Sequence, residues 1–572
     1  MVVLAAGAAI SVRRVLAEQH AAERHRADAE ELMTYMLTDL SEKLQPIGKL
    51  DLLGDVAKKA RDYYQRRPDE ADPAARYKQE LAHANLGSVL KYQGDNAGAR
   101  AEYALAQRLV ETLVNDEPGN ALWQHERSDI HRRVGELQEQ RGALPDALAE
   151  YRAALALDEA AVARDPSVLA RSDLFESKLG LGRVANATGD SKGALREFRG
   201  ALELAVPLAA DPAAQPRQRR ELETAHDYLG AQLEAQGELA GAVKEYHVSQ
   251  QLATERTKLH PDDAEAQRDL YLAGVQLGRL AIAQGDLEHG RVQLRAAVAL
   301  AESLAARDPA NIVWQRDLSA SQNEVGNVQL ATGDAAGALV TFRAGQRVIE
   351  RSGVLAPTNV EVKRDMQVSA SRVGEALDQT GEHAAALVEY RKELALAIDV
   401  VAHEPTALVR GDLAMAHNDL GGALQAAGDS AGALAEFRAG DEIAKQLIEK
   451  DPSNAMMKRQ RWAFLANISE LTLESEPVAA IAKLREGSVI VKQLAEQEPT
   501  DLLVRGDYAL SRIRLGAALA ATGNTEDAIA EDRAALELCT QLTKADPETL
   551  SWRALLATAT NQLAAAQRAK KT

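Results

Sequence analysis

Residues 314–357 read WQRDLSASQNEVGNVQLATGDAAGALVTFRAGQRVIERSGVLAP, and this stretch decides the fold. Apolar side chains recur at helical spacing from Trp314 to Thr332, Gly333-Asp334 interrupts, and the period resumes from Ala335 to Ala356. That describes two helices joined by a tight turn. Gly326 lies inside the first helix, where glycine costs about 1 kcal/mol against alanine, so it needs a packing reason. Ala338 supplies one, since a bare backbone facing a methyl group lets the two axes approach closely. Phe342, one turn further on the same face, fills the wedge where the hairpin opens, and Pro357 ends the second helix.

Working outward, the pattern returns ten times at steps of 47 or 48 residues. Its first glycines are Gly87, Gly135, Gly182, Gly230, Gly278, Gly326, Gly374, Gly421 and Gly516, with Ile468 in the ninth unit. Seven positions on stand Gly94, Gly142, Gly189, Gly237, Gly285, Gly333, Gly381, Gly428 and Gly523, with Ser475 in the ninth. A small residue follows five later (Ala99, Ala147, Ala194, Ala242, Gly290, Ala338, Ala386, Ala433, Ala480, Ala528). Nine after the second glycine come Tyr103, Tyr151, Phe198, Tyr246, Leu294, Phe342, Tyr390, Phe437, Leu484 and Asp532. Each unit closes on a proline, from Pro118 to Pro547, and Asp-Pro at Asp165-Pro166, Asp308-Pro309 and Asp451-Pro452 can cap and open the next helix. Self-similarity at this period signals repeat architecture.

Gly87, Ala99, Tyr103 and Ala106 stand at the mutual spacings of the tetratricopeptide repeat, and Gly94 fits its turn. The chain resembles that family from about residue 75 to 548, but its unit is longer than the usual ~34 residues by about four helical turns. The resemblance implies an all-α, right-handed superhelical solenoid of about ten antiparallel hairpins with an N-terminal helical stalk and a C-terminal capping helix. The expected division is an apolar segment at 1–11, a stalk or linker at 12–48, an N-terminal capping helix at 49–74, repeats at 75–548 and a capping helix at 549–572.

The 572 residues are 46% hydrophobic but only 4% aromatic, which suits many thin helix contacts better than one thick core. A formal charge of −18 argues against nucleic acid as a partner. Met1 to Ser11 is apolar and uncharged, followed by Arg13 and Arg14; eleven residues fall short of the ~20 that span a bilayer. Two readings stand: a transmembrane helix whose start precedes Met1, which is favoured, or a short buried cap. Leu32 to Tyr64, through Leu44, Pro46, Ile47, Gly48, Leu50 and Leu53, resembles the linker after the membrane helix of large bacterial signalling proteins that end in such repeats. That resemblance implies a bacterial, membrane-associated or cytoplasmic protein, with a kinase, cyclase or Toll/interleukin-receptor-type effector upstream and the side of the membrane open. In the same stretch Leu52, Leu53, Val56, Ala60 and Tyr64 make the apolar stripe of a capping helix. At the other end Leu550 to Arg568 reads as a capping helix with Trp552, Leu555, Leu556 and Leu563 inward, and Asp532 as the polar face such an end turns to water.

Chemistry is sparse. Phosphate loop, zinc helix, nucleophile elbow and cysteine pair are missing from the sequence, so no enzyme activity, cofactor, metal or small-molecule substrate is expected. Cys539, the single cysteine, reads as buried filler. His125 and His131 fall on opposite faces of one helix and read as solvated. Carboxylates recur nine positions before the first glycine (Glu126, Asp173, Glu221, Asp269, Asp317, Asp365, Asp412, Asp507), where they favour the helix dipole and can pair with neighbours such as Arg220, Arg268, Arg316 and Arg364.

The remaining candidate is the wall built by first helices, where the tetratricopeptide family binds its ligands. The matching positions are Arg132, Glu136, Arg183, Asn186, Asp227, Glu234, Arg279, Asn323, Asn327, Ser371, Glu375, Asn418 and Gln425. Among them Arg183, Asn186, Arg279, Asn323, Asn327, Asn418 and Gln425 are the partner-binding candidates, the asparagines foremost because side-chain amides can hold an extended backbone. The expected function is therefore a scaffold that binds a protein or peptide, or the regulatory part of a membrane signalling protein. The ninth unit, with Ile468, Ser475 and Leu484 in the signature positions and Trp462 off the usual slot, marks a changed stacking angle or a docking site.

Overall fold

Helix breakers recur on a fixed schedule, and the helices follow it. The computed structural model describes residue 35 and residues 50–65, 72–92, 95–499, 501–547 and 549–570, with backbone alone at 50–53, 64, 65 and 92. Every regular element among these is helical and none is a strand. The chain divides into two compact units, 1–365 and 366–572.

The first unit holds α1 (Leu50–Gln65) and the hairpins α2 and α3 (Pro73–Tyr92, Asn96–Asp116), α4 and α5 (Ala121–Gln140, Leu144–Arg164), α6 and α7 (Val168–Ala187, Ser191–Ala210), α8 and α9 (Pro216–Ala235, Leu239–Leu259), α10 and α11 (Ala264–Ala283, Leu287–Arg307), and α12 and α13 (Ile312–Ala331, Ala335–Leu355). The division falls inside α14 (Val360–Gln379). The second unit continues with α15 (His383–His403), α16 and α17 (Ala407–Ala426, Ser430–Lys450), α18 and α19 (Ala455–Thr472, Pro477–Gln497), α20 and α21 (Leu502–Ala521, Thr525–Ala545), and α22 (Leu550–Ala569). This is an all-α helical-repeat architecture of stacked hairpins.

Within a hairpin the turn is set by the second glycine. Gly333 takes φ +83°, which a side chain would strain, and so lets its own N–H reach Leu330 O at 2.9 Å and that of Asp334 reach Gln329 O at 2.8 Å. Asp334 then caps α13 by accepting from Gly337 N–H at 2.9 Å. In hairpin nine Ser475 does not adopt positive φ. There α18 stops after 18 residues, where α12 and its counterparts run 20, and Pro477 opens α19. The Asp-Pro pairs do one job, not two. Asp165 closes α5 by donating its N–H to Ala161 O at 2.9 Å, whereas α6 is capped by Ser167, whose side chain accepts from Ala170 N–H.

The first glycine serves a different partner from the one the sequence suggests. A Cβ on Gly326 would lie 2.3 Å from Phe342 Cε1, so the ring itself, not the Ala338 methyl, occupies the space glycine leaves. Gly87, Gly135, Gly182, Gly230, Gly374 and Gly421 likewise face the ring of their own hairpin. Hairpin nine reverses the roles: Trp462 and Phe464 now come from a first helix, and the missing side chains are those of Gly487 and Gly440 on second helices. Hairpin ten overturns the expectation for Asp532. Its carboxylate is 1% exposed against Gly516, Oδ1 has no hydrogen-bond partner, and burial, with Glu531 adding to it, pushes its pKa up to about 6.

Hairpins are joined by a ladder. Through the first unit the residue ten before a first glycine reaches the recurring carboxylate of the next hairpin: Tyr77 Oη donates to Glu126 at 3.0 Å, His125 Nδ1 lies 2.7 Å from Asp173, Ser172 Oγ donates to Glu221 at 3.0 Å, and Arg220 Nε to Asp269 at 3.1 Å. Arg268 holds Asp317 through two nitrogens, and Arg316 holds Asp365. In the second unit Arg459 Nε donates to Asp507 at 2.6 Å. The pairing is thus between hairpins and not with sequence neighbours, because adjacent residues on a helix point about 100° apart. Replacing Arg268 with methionine should destabilise the fold by about 1–3 kcal/mol, the cost of stranding a half-buried carboxylate. A double-mutant cycle should couple Arg268 more strongly to Asp317, 49 residues away, than to the adjacent Asp269; the reverse result would remove the ladder.

A second clasp works inside hairpins. Four residues before the first glycine, His83, His131, His226 and His417 each place Nδ1 2.6 Å from the glutamate preceding the ring slot: Glu102, Glu150, Glu245 and Glu436. Lys178 with Glu197 at 3.4 Å and Arg512 with Glu531 at 2.7 Å fill the same position. His131 and His125 are therefore paired and half-buried, not solvated, since each faces a carboxylate that the sequence holds far from it. For His125, burial alone would lower the pKa, but Asp173 outweighs it and raises it.

At α1, Ala60 is buried against Ala82 with Val56 beside it. Trp552 of α22 packs with Cys539, Ala509 and Ile513, and Leu555 and Leu556 flank it. Burial pushes the Cys539 thiol up to about 11, consistent with filler. No helix of the described residues is long and apolar enough to cross a membrane. Residues 1–11 and the linker up to residue 49, on which the membrane expectation rests, lie outside the described residues, Tyr35 excepted.

Candidate functional site

First helices carry their polar residues on the face left free by the glycine and ring contacts, and most of that face is already paired. The position four after the first glycine reaches the position one after the glycine in the next hairpin: Lys91 pairs with Glu136, Glu139 with Arg183 at 3.0 Å, and Glu234 with Arg279. The rings join in. Tyr151 Oη donates to Glu139 at 2.8 Å and Tyr246 Oη to Glu234 at 3.0 Å, so each tyrosine passes beside its glycine and presents its hydroxyl to the wall. Burial foremost raises both phenols above their ordinary pKa.

Of the partner-binding candidates, Arg183 is committed inside the protein. It binds Glu139, donates to Tyr151 Oη at 2.7 Å and stacks between the rings of Tyr151 and Tyr228, at 5.6 and 5.8 Å from their centroids. Arg279 is paired with Glu234 but remains half-exposed, and Gln425 reaches Glu470 at 3.4 Å. Arg132 is a buried node holding Asp158 at 3.1 Å and Asp173 at 3.0 Å. Asn186 is exposed and Asn327 half-buried. Asn323 and Asn418 turn Oδ1 inward, where neither oxygen finds a partner. Asp227 also keeps a buried oxygen without a partner, and burial, then the charge of Asp269, push its pKa up to about 6.

Hairpins nine and ten break the paired surface. Where Trp462 stands on a first helix, α18 and α20 frame a cavity of about 560 Å³. Its lining is apolar at Trp462, Ala463, Ala466, Val504 and Leu510, basic at Arg459 and Arg514, and acidic at Glu498, Asp501 and Asp507. Arg459 is held by Asp507 at 2.6 Å, whereas Arg514 has only loose partners, Asn467 at 3.5 Å and Glu470 at 3.9 Å. Volumes of this size admit one large side chain or a small ligand. The misplaced Trp462 was the sequence signal for this site, but the cavity follows from Ala463 and Ala466 lying beside it, which spacing alone does not reveal. Among the described residues no three of His, Cys, Asp or Glu are placed to hold a metal ion.

No family model matches the chain, and no curated protein matches it in sequence. Solved helical-repeat structures do match. The apo form of the quorum sensor NprR from B. thuringiensis is 14% identical, with 70% of this chain and 98% of that one covered and a TM-score of 0.43. The apo form of RapI is 11% identical over 73% and 99% of the two chains, with a TM-score of 0.43. BtubC from P. vanneervenii is 17% identical over 45% and 92%, with a TM-score of 0.35. The likeness is distant and partial.

Proposed function

We propose that this protein is a binding scaffold whose first-helix face takes a protein or peptide partner, anchored by an apolar side chain seated between α18 and α20. The observation that supports this is the cavity beside Trp462, where a regular pattern of ring-in-glycine packing gives way to apolar residues bordered by both basic and acidic side chains. A buried apolar anchor with a polar rim is how interfaces concentrate their binding free energy. Arg514, loosely held and partly exposed, is placed to meet a backbone carbonyl or an acidic group of the partner.

Peptides selected by display on the full chain provide the test. Ala463→Trp, which fills the cavity from its own floor, should weaken the selected peptides at least tenfold while leaving thermal stability unchanged. Equal affinity for the filled variant would show that the anchor lies elsewhere.

A further inference from the structure

Three residues after the ring slot, every hairpin but one carries a small side chain: Ala106, Ala154, Ala201, Ser249, Ala297, Gly345, Gly440, Gly487 and Ala535. Hairpin seven places Glu393 there. The slot is small because neighbouring helices close over it, so Glu393 is only 3% exposed, and its Oε2 has no hydrogen-bond partner. An unpartnered buried carboxylate costs several kcal/mol if charged and is not expected unless something compensates it.

Its surroundings are short of donors. Ser371 of α14 stands between Glu393 and Asp419 Oδ2 of α16, 3.1 Å from the latter, and its one hydroxyl proton serves both carboxyl groups. Asn418 donates its amide to Asp419 Oδ1 at 3.4 Å and is left with Oδ1 buried and unsatisfied. Asp412 of α16 adds negative charge. Arg372, the cation of α14 nearest to the group, gives Nη1 to Glu375 at 3.0 Å. One turn after Asn418 on the same face of α16, Gly422 is exposed and a Cβ there would touch nothing within 4 Å, which leaves that side of the helix uncovered. Two carboxyl groups thus share one hydroxyl proton, and the unsatisfied amide oxygen of Asn418 lies next in sequence to one of them.

Resting on the proposed binding role of the first-helix face, we infer that the notch formed by Ser371, Glu393, Asn418 and Asp419 receives an organic cation, the ammonium or guanidinium group of a basic side chain of the partner. Such a group brings three to five N–H donors and one positive charge, which matches the deficit. Among the described residues no three of His, Cys, Asp or Glu are placed to hold a metal ion, and the divalent-cation arms of the test below separate a metal from an organic cation. Burial, with the charge of Asp419 adding to it, pushes the Glu393 carboxyl up to about 9. Entry of a cation therefore displaces a proton at neutral pH, and affinity rises with pH as Glu393 ionises, against the standing charges of Asp412, Asp419, Glu375 and Arg372.

The test uses the full chain with n-butylammonium and n-butylguanidinium as probes, 1-pentanol as the uncharged control, and Mg2+ and Ca2+ as separate arms, all followed by calorimetry. One-to-one binding of a probe cation is expected, tightening at least tenfold from pH 6 to pH 9 and weakened at least tenfold in both Glu393→Ala and Glu393→Gln. Glu393→Ala installs the residue that other hairpins use, so it should fold at least as stably as the parent. Unchanged affinity in either variant, equal binding of 1-pentanol, or displacement of the probe by Mg2+ or Ca2+ would overturn the assignment. Selected peptides that lose affinity for Ala463→Trp but bind Glu393→Ala like the parent would overturn the notch and leave the scaffold role standing. Probe binding without any selectable peptide would do the opposite.

Discussion

Gly326→Val is expected to destabilise hairpin six by about 3 kcal/mol, although glycine is itself a poor helix former. The new Cβ would meet Phe342 Cε1 at 2.3 Å and Cδ1 at 2.6 Å, and the ring is wholly buried with no open direction in which to retreat. Overfilling a close-packed site costs about 1–3 kcal/mol, and β-branching adds to it by crowding the helix. Phe342→Ala alone should cost about 3–5 kcal/mol through the void it leaves. Combined, the two changes should cost at least ~1.5 kcal/mol less than their sum, because the valine moves into the vacated space. Ala338→Gly should give no such relief. Amide hydrogen exchange across α12 and α13, read alongside urea denaturation, checks both statements, and rescue by Ala338→Gly in place of Phe342→Ala would refute the ring as the glycine's partner.

Asp532→Leu is expected to stabilise hairpin ten by about 1–3 kcal/mol near neutral pH, the cost of keeping a buried polar group unsatisfied. Leucine is the residue of hairpins five and nine at this position, as Leu294 and Leu484 show, so the space tolerates it. The pH dependence gives the sharper signature. The folded carboxyl has its pKa raised to about 6 by burial, above the ~3.9 of an unfolded aspartate, so the native state holds the proton more tightly. Its contribution to stability is complete below pH ~4, is lost as pH rises to 6, and is level above that. The advantage of Asp532→Leu over the parent should therefore grow from pH 4 to pH 6 and then stay constant. An advantage independent of pH, followed by exchange protection in α20 and α21, would mean that Asp532 is charged and solvated in the native state.

How much of this was legible in the sequence differs between the frame and the site. The hairpins follow from Gly333, Asp334 and Pro357, because positive φ, helix capping and a missing N–H act within a few residues and leave a local mark. Which groups touch was harder to read. Arg268 stands beside Asp269 in sequence yet binds Asp317, since a helix directs consecutive side chains apart. Arg183, offered as a partner-binding residue, is consumed by Glu139, 44 residues earlier, and by Tyr151. Asp532 looked like a residue facing water because its type is polar, although the slot it fills is enclosed by neighbours in every hairpin. Trp462 signalled a departure, but only the packing shows that the departure opens a cavity.

The ladder from Tyr77 to Asp365 has a consequence for how such a chain grows. Each rung joins a residue to one 48 or 49 places downstream, so its geometry belongs to the junction and not to any particular hairpin. Duplicating a block of that length inserts a ready-made joint on both sides, whereas gaining or losing even two residues misaligns every rung it crosses. Length is thus a variable that whole-block copying can change without inventing a new interface, and the stretch of wall available to a partner becomes adjustable in steps.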